Sequence, residues 1–314
     1  MILVTGCDSA KGKAIFERLQ AASLVAVGLS HSDCQQTADH LARQLAGLTG
    51  VHLIIHAFEL SDLQRAEAYP DLAHQLNVEV TEVVAAYAAS KGIPLVFLSS
   101  HLVFDGGKKN PYIAANPLHP LNVYGRSKAL AERRLFDRHS HALVLRLGWM
   151  LDLEADGWLD QQVRDVREGV ALLASPSHMV SPTCVYDVAN VVLAMVRQVL
   201  CQIEVWGIFH YGGSEPVSHA ELVMTIGKAL SSYLPGCDAQ YEVCETGRSP
   251  IPSVMLPANG VLGCIKLRNT FGIKQKAWRQ ALPVLLNSRL GALRGGPPGV
   301  PETADVQPLR AESG

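Results

Sequence analysis

Five short apolar runs in the first half of the chain constrain its fold more than any other feature: Ile2 to Val4, Val25 to Leu29, Leu53 to His56, Leu95 to Ser99 and Leu143 to Leu147. Helical patterns separate them, at Lys13 to Ala22, Thr37 to Leu48, Pro70 to Ser90 and Val123 to Asp137. Strand alternating with helix at this spacing predicts repeated βαβ units and a parallel sheet. The fold class is therefore α/β. Such a sheet binds its ligand beyond the carboxyl ends of its strands, where Gly6, Ala57, Ser100 and Trp149 fall. Four separated segments then point into one crevice.

The second half is less regular, with helices expected at Leu159 to Glu168, Val185 to Val199 and Ser218 to Leu230, and a short strand at Gly207 to Tyr211. It reads as a smaller substrate lobe. We expect residues 1–150 to form a dinucleotide domain and 151–290 to form mainly the lobe, with some chain returning to the core. From about Gly291 the sequence loses periodicity, so 291–314 is expected to be a disordered tail.

Composition bounds the function. The chain has 314 residues, 48% of them hydrophobic and 18% charged, with a net charge of −2, which gives nucleic acid and acidic membranes no electrostatic hold. Apolar stretches such as Val188 to Val196 are broken by Asn190, far short of a spanning helix. Met1 to Gly6 reads as a strand entering a turn, without the basic start of an export signal. The seven cysteines are scattered and form no CxxC pair, so neither a metal site nor a disulfide framework is indicated. A soluble protein of the reducing cytoplasm fits these features.

Chemistry concentrates in Ser99-Ser100-His101 and in Pro120-Leu121-Asn122-Val123-Tyr124-Gly125-Arg126-Ser127-Lys128. Tyr124 and Lys128 stand at i and i+4, so a helix beginning after Asn122 projects both from one face. Tyr124 can act as acid or base, and the Lys128 cation is expected to favour its ionised form. Bringing a tyrosine from about 10 to about 7 takes roughly 4 kcal/mol of differential stabilisation. Taken alone the pair also describes an ordinary surface helix; its place 24 residues after Ser100 favours a site. His101 reads as a histidine hydrogen-bonded at the cleft mouth rather than a second acid. Asn77 either bonds a broken helical turn or packs, and Trp149 either lines the pocket or joins the core. Asp160, Asp165 and Glu168 describe a solvated helix face.

The turn after the first run, Thr5-Gly6-Cys7-Asp8-Ser9-Ala10-Lys11-Gly12, opens a helix, the setting of a loop that wraps a dinucleotide pyrophosphate. Gly6 and Gly12 keep the spacing, and Ser9 stands where a middle glycine would let backbone approach phosphate. Cofactor contacts are expected from Gly6, Ser9, Ala10, Lys11, Gly12 and Ser30, although a strand-to-helix turn without cofactor stays open. Beyond the second run, Gly28-Leu29-Ser30-His31-Ser32 lacks a carboxylate for a ribose hydroxyl, which leans toward NADPH over NADH, with Asp33 close by.

These residues together resemble the dTDP-4-dehydrorhamnose reductase family of the extended short-chain dehydrogenase/reductase superfamily, from Ile2 to about Leu286. The match runs through Leu98, Val103-Phe104-Asp105-Gly106, Pro111-Tyr112, Pro120 to Gly125, Ser127-Lys128 and Glu132, and more weakly through Ala66-Glu67, Leu76-Asn77, Arg146, Ser181-Pro182-Thr183 and Gly207 to Tyr211. The resemblance implies a Rossmann-type, doubly wound domain with a C-terminal nucleotide-sugar lobe. It implies Tyr124 as proton donor, Lys128 on the nicotinamide ribose and Ser100 as the catalytic hydroxyl, with His56, Ala57 and Phe58 along the cofactor and His101 and Trp149 toward the sugar. The reaction would be hydride transfer to C4 of a nucleotide-linked 4-keto-6-deoxy sugar, with a homodimer or a partner enzyme as possible assemblies. Departures fall at His101-Leu102, His56-Ala57-Phe58 and Ser177 to Val180, where cofactor and sugar contacts lie. Two other readings belong to the same superfamily: a regulatory subunit like the methionine adenosyltransferase β subunit, and a nucleotide-sugar epimerase with Tyr124 as base.

Overall fold

In the computed structural model, residues 1–153, 157–202 and 204–291 are described; all of the expected tail except Gly291 lies outside them. Strands β1 (Ile2–Thr5), β2 (Ala26–Leu29), β3 (Leu53–His56), β4 (Leu95–Ser100) and β5 (Ala142–Leu147) form one sheet with the Gly207–Tyr211 strand. Its order is Gly207–Tyr211, β5, β4, β3, β1, β2, and every pairing is parallel. β1, β3, β4 and β5 are buried throughout, which is why they read as unbroken apolar runs. β2 lies at an edge and starts one residue late, because Val25 is exposed.

Helices α1 (Ala10–Ala21), α2 (His31–Cys34), α3 (Ala38–Ala46), α4 (Leu63–Ala68), α5 (Pro70–His74), α6 (Val80–Lys91) and α7 (Val123–Arg138) connect these strands. α1 begins earlier than its apolar pattern because Ser9 caps it, its hydroxyl accepting from the Gly12 amide at 3.1 Å. The expected helix from Pro70 to Ser90 is interrupted at Gln75–Glu79 by a π-helical turn, in which the Val80 amide bonds back to the Gln75 carbonyl. Beyond α7, Trp149–Leu151 forms β6 in a separate ladder with Pro182–Cys184. The later helices span Trp158–Glu168, Val185–Leu200, His219–Tyr233, Ile265–Phe271 and Trp278–Leu290.

The chain leaves β1 for β2 on one side and later takes β3 to the other, so the strand order reverses between β1 and β3. That reversal opens a crevice at their carboxyl ends, beside Gly6 and Ala57. α7 is fixed at the crevice by three devices. The Asn122 side chain accepts from the Gly125 amide at 2.7 Å, and Glu67 accepts from the Val123 amide at 2.6 Å. Deeper, Arg146 on β5 grips Glu132 on α7 through two guanidinium nitrogens at 2.9 and 2.6 Å, both residues buried. No helix among the described residues is long and apolar enough to cross a membrane.

Candidate functional site

The crevice floor is set by a hydrogen-bond chain that fixes one histidine's tautomer. Thr81 spends its hydroxyl proton on the Asn77 carbonyl at 2.7 Å, so the His56 ring must donate to Thr81 from Nε2, at 3.0 Å. Nδ1 then accepts from the Thr5 hydroxyl at 2.7 Å. With both ring nitrogens used and no solvent exposure, His56 is part of the floor and is not free to contact a dinucleotide. Burial first, and the Lys128 cation second, push its pKa down to about 3.

Above this floor the glycine turn folds tightly against β3. Gly6 has φ of +65°, and a Cβ there would come within 2.7 Å of the Phe58 Cα. Ser9 turns its hydroxyl inward, donating to the Gly6 carbonyl at 2.8 Å while it caps Gly12. Its side chain therefore closes on the loop itself. Phe58 is buried, its ring tilted against that of His31 with centroids 4.9 Å apart. At the end of β2 the Ser30 hydroxyl donates to Asp33 at 2.7 Å, and Asp8 accepts from the His31 amide at 2.7 Å. Ser30 is thus engaged in a capping box, and a carboxylate does stand beyond β2.

Ser100, Tyr124 and Lys128 converge at the carboxyl end of β4, and all three are buried. Sequence reasoning missed what they face. Glu59, three residues past β3, is only 5% exposed and bridges both sides of the crevice. Its carboxylate pairs with Lys11 of α1, lies 2.8 Å from Lys128 Nζ, and accepts from the Tyr124 hydroxyl at 3.0 Å. Burial alone would raise the Glu59 carboxyl; Lys11 and Lys128 overcome it and hold the group down to about 2. Asn77 holds the neighbouring backbone, accepting from the Leu60 amide at 2.7 Å and donating to Ser127 Oγ at 2.8 Å. The one signal in the sequence is a lone acid within the apolar stretch Ala57-Phe58-Glu59-Leu60.

This carboxylate corrects the expectation for Tyr124. Burial, then the charge of Glu59, then its hydrogen bond raise the phenol well above its ordinary value, against a smaller opposing effect of the Ser100 hydroxyl. Lys128 does not deliver the expected lowering because its charge is already met by Glu59. Burial draws the Lys128 ammonium down, and Glu59 returns only part of that. Tyr124 is accordingly held as the neutral phenol.

Beyond β5 the packing around His101 is aromatic, and Trp149 lies in the hydrophobic core. Trp149, at the start of β6, stands edge-on to Trp158 and to His219, each at 5.3 Å, and 6.3 Å from His101. His101 donates from Nδ1 to the Leu147 carbonyl at 3.2 Å, and burial pushes its pKa down to about 4, so it is neutral near pH 7.

The RmlD substrate binding domain family model matches residues 1–290. The chain belongs to that family. A dTDP-4-dehydrorhamnose reductase of Sinorhizobium fredii is 28% identical over 232 residues, covering 73% of this chain and 77% of that protein. Methionine adenosyltransferase 2 subunit beta of Rattus norvegicus is also 28% identical, over 311 residues, covering 92% of this chain and 89% of its own. A Bacillus anthracis dTDP-4-dehydrorhamnose reductase solved with NADP superposes with a TM-score of 0.76 at 21% identity, covering 91% of this chain and 96% of that one. At that identity the likeness is one of fold. For this member of the RmlD substrate binding domain family, Glu59 and the ring cluster around Trp149 are therefore judged on their own geometry.

Proposed function

We propose that the chain is a cytoplasmic NAD(P)H-dependent reductase of a nucleotide-linked 4-keto-6-deoxy sugar, with 1–150 holding the dinucleotide and 151–290 mainly the sugar. The observation that carries this reading is the convergence of Ser100, Lys128 and a neutral Tyr124 at the carboxyl ends of the strands. The residues present suit an anionic dinucleotide: a tight glycine turn, the first-turn backbone of Ala10 and Lys11, and the two ammonium groups of Lys11 and Lys128. NADPH is the first candidate and NADH the second, since Asp33 stands beyond β2.

The bound dinucleotide would supply hydride. Tyr124 holds the proton on its hydroxyl and gives it to the carbonyl oxygen as that oxygen becomes an alkoxide. Ser100 orients the same oxygen with its hydroxyl, and Lys128 is the group for the nicotinamide ribose. Trp149 and His101 present apolar ring faces to the sugar. A phenol held in its protonated form suits an acid and disfavours the base that an epimerase or an oxidation would need. Removing the acid in Tyr124→Phe should cut turnover by about 10²–10⁴-fold. The assay is NADPH oxidation with a dTDP-4-keto-6-deoxy sugar, alongside NADPH fluorescence titration of both proteins. Unchanged turnover in the variant refutes the role of Tyr124.

One observation favours a second reading. Glu59 already engages Lys128 and Tyr124, an arrangement suited to binding a dinucleotide without turning it over, as in a regulatory subunit. Binding of NADPH without oxidation of it on any keto sugar, together with co-elution with a methionine adenosyltransferase, would support that alternative.

A further inference from the structure

We propose that Glu59 is a counter-ion gate: its carboxylate ties Lys11 to Lys128 across the crevice, and a dinucleotide enters by taking Lys11 from it through a phosphate. The inference rests on the dinucleotide reading above and adds the residue that regulates entry.

Three elements meet on this one carboxylate. α1 brings Lys11, α7 brings Tyr124 and Lys128, and Glu59 itself follows β3. The crevice at the β1/β3 reversal is thereby bridged from its phosphate side to its hydroxyl side. Other groups fix the backbone beneath the carboxylate. His31 Nε2 lies 3.3 Å from the Glu59 carbonyl oxygen, its ring also facing Asp8, and Asn77 holds the Leu60 amide. His56 sits below, bonded to Thr5 and Thr81, and Ser100 faces Tyr124. With the backbone held on both sides, opening requires only the side chain of Glu59 to turn.

The charges set the direction of the exchange. One carboxylate against two ammonium groups leaves a net positive centre, so the closed crevice still attracts a polyanion. Lys11, at the helix start, is the partner a phosphate can reach, and Lys128 is buried beside Tyr124. A phosphate on Lys11 leaves Glu59 on Lys128, so each cation ends with one anion. The cost of parting Lys11 from Glu59 weakens binding by the same amount.

The test uses the full-length protein and its E59Q and E59A variants, titrated with NADPH and with NADH by fluorescence. E59Q keeps side-chain volume and hydrogen bonding, and carries the test should E59A fold poorly. Both variants are expected to bind at least about tenfold tighter than the parent. Without cofactor, tyrosinate absorbance read as E59Q minus E59Q/Y124F should titrate at least about one pH unit below the parent minus Y124F. Equal or weaker binding in variants that all bind overturns the gate and leaves the dinucleotide reading standing. An unshifted tyrosinate midpoint overturns the coupling on which the gate depends. No binding by any of the proteins overturns the dinucleotide reading, and the gate with it.

Discussion

Asn77→Ala removes the brace between the β3 exit and α7, and its effect can be worked from the contacts. Asn77 is 1% exposed, and its side chain accepts from Leu60 N at 2.7 Å and donates to Leu60 O at 3.3 Å and Ser127 Oγ at 2.8 Å. Truncation leaves the buried Leu60 amide unpaired, at about 1–3 kcal/mol, and removes two further bonds of roughly 0.5–1.5 kcal/mol each. Ser127 keeps its own donation to the Tyr124 carbonyl at 2.8 Å, so only its acceptor half is lost. Water entering the vacated volume returns part of this, leaving a net loss of about 2–4 kcal/mol. For a chain of this size each kcal/mol moves Tm by roughly 2–4 °C, so the melting point should fall by about 4–16 °C. Thermal unfolding followed by circular dichroism measures it. Because Leu60 adjoins Glu59, the tyrosinate midpoint of Tyr124 should move in the same variant. A Tm within about 1 °C of the parent would refute the argument and assign the placement of Leu60 to its apolar packing alone.

Arg146→Met strands Glu132 without its cation and should cost about 3–5 kcal/mol by urea unfolding, while Arg146→Met with Glu132→Leu should recover most of it. If the double variant is no better than the single, the cost lies in lost packing over Phe104. Acid should destabilise the protein well above the carboxylate range. His56, His210 and His219 are pushed down to about 3 and His101 to about 4, each chiefly by burial, while the unfolded chain protonates near 6.5. A depressed histidine gives stability that is full above the unfolded value and is lost as pH falls below it. Between pH 7.5 and 5.5 each should cost roughly 1.4 kcal/mol, about 5.5 kcal/mol for the four together. Glu59, held near 2, extends the loss below its ordinary value of 4.5. A flat Tm between pH 7.5 and 5.5 would mean these rings are solvated.

Much of the fold could be read because its strands are buried on both faces and each carries its own apolar run. The α7 site was legible for a similar reason: Tyr124 and Lys128 lie on one helix, so their spacing alone states their common face. Ser100 could be placed because it ends a strand. What could not be read is any relation between segments. His56 was expected along the cofactor, yet its fate depends on Thr5 and Thr81, which are 51 and 25 residues away. The π-helical turn at Asn77 breaks no apolar pattern, and the partner of its Asn77 side chain is Leu60 on another segment. The Ser30 hydroxyl is expected on the cofactor, yet the short helix after β2 engages it in a capping box with Asp33.

Glu59 carries this furthest, because it changes what the legible residues mean. Lys128 is 1% exposed, with Phe97 lying 4.2 Å beneath its ammonium, and a buried ammonium without an anion is costly. Glu59 supplies that anion, so it stabilises the fold. The same contact occupies the group a nicotinamide ribose would need and draws the proton of Tyr124 toward Glu59. Stability of the chain and readiness of the site are therefore opposed through one side chain. A Tyr-x-x-x-Lys pair specifies a helix face, whereas the charge brought to that face from β3 decides whether the phenol serves as acid, as base or as neither.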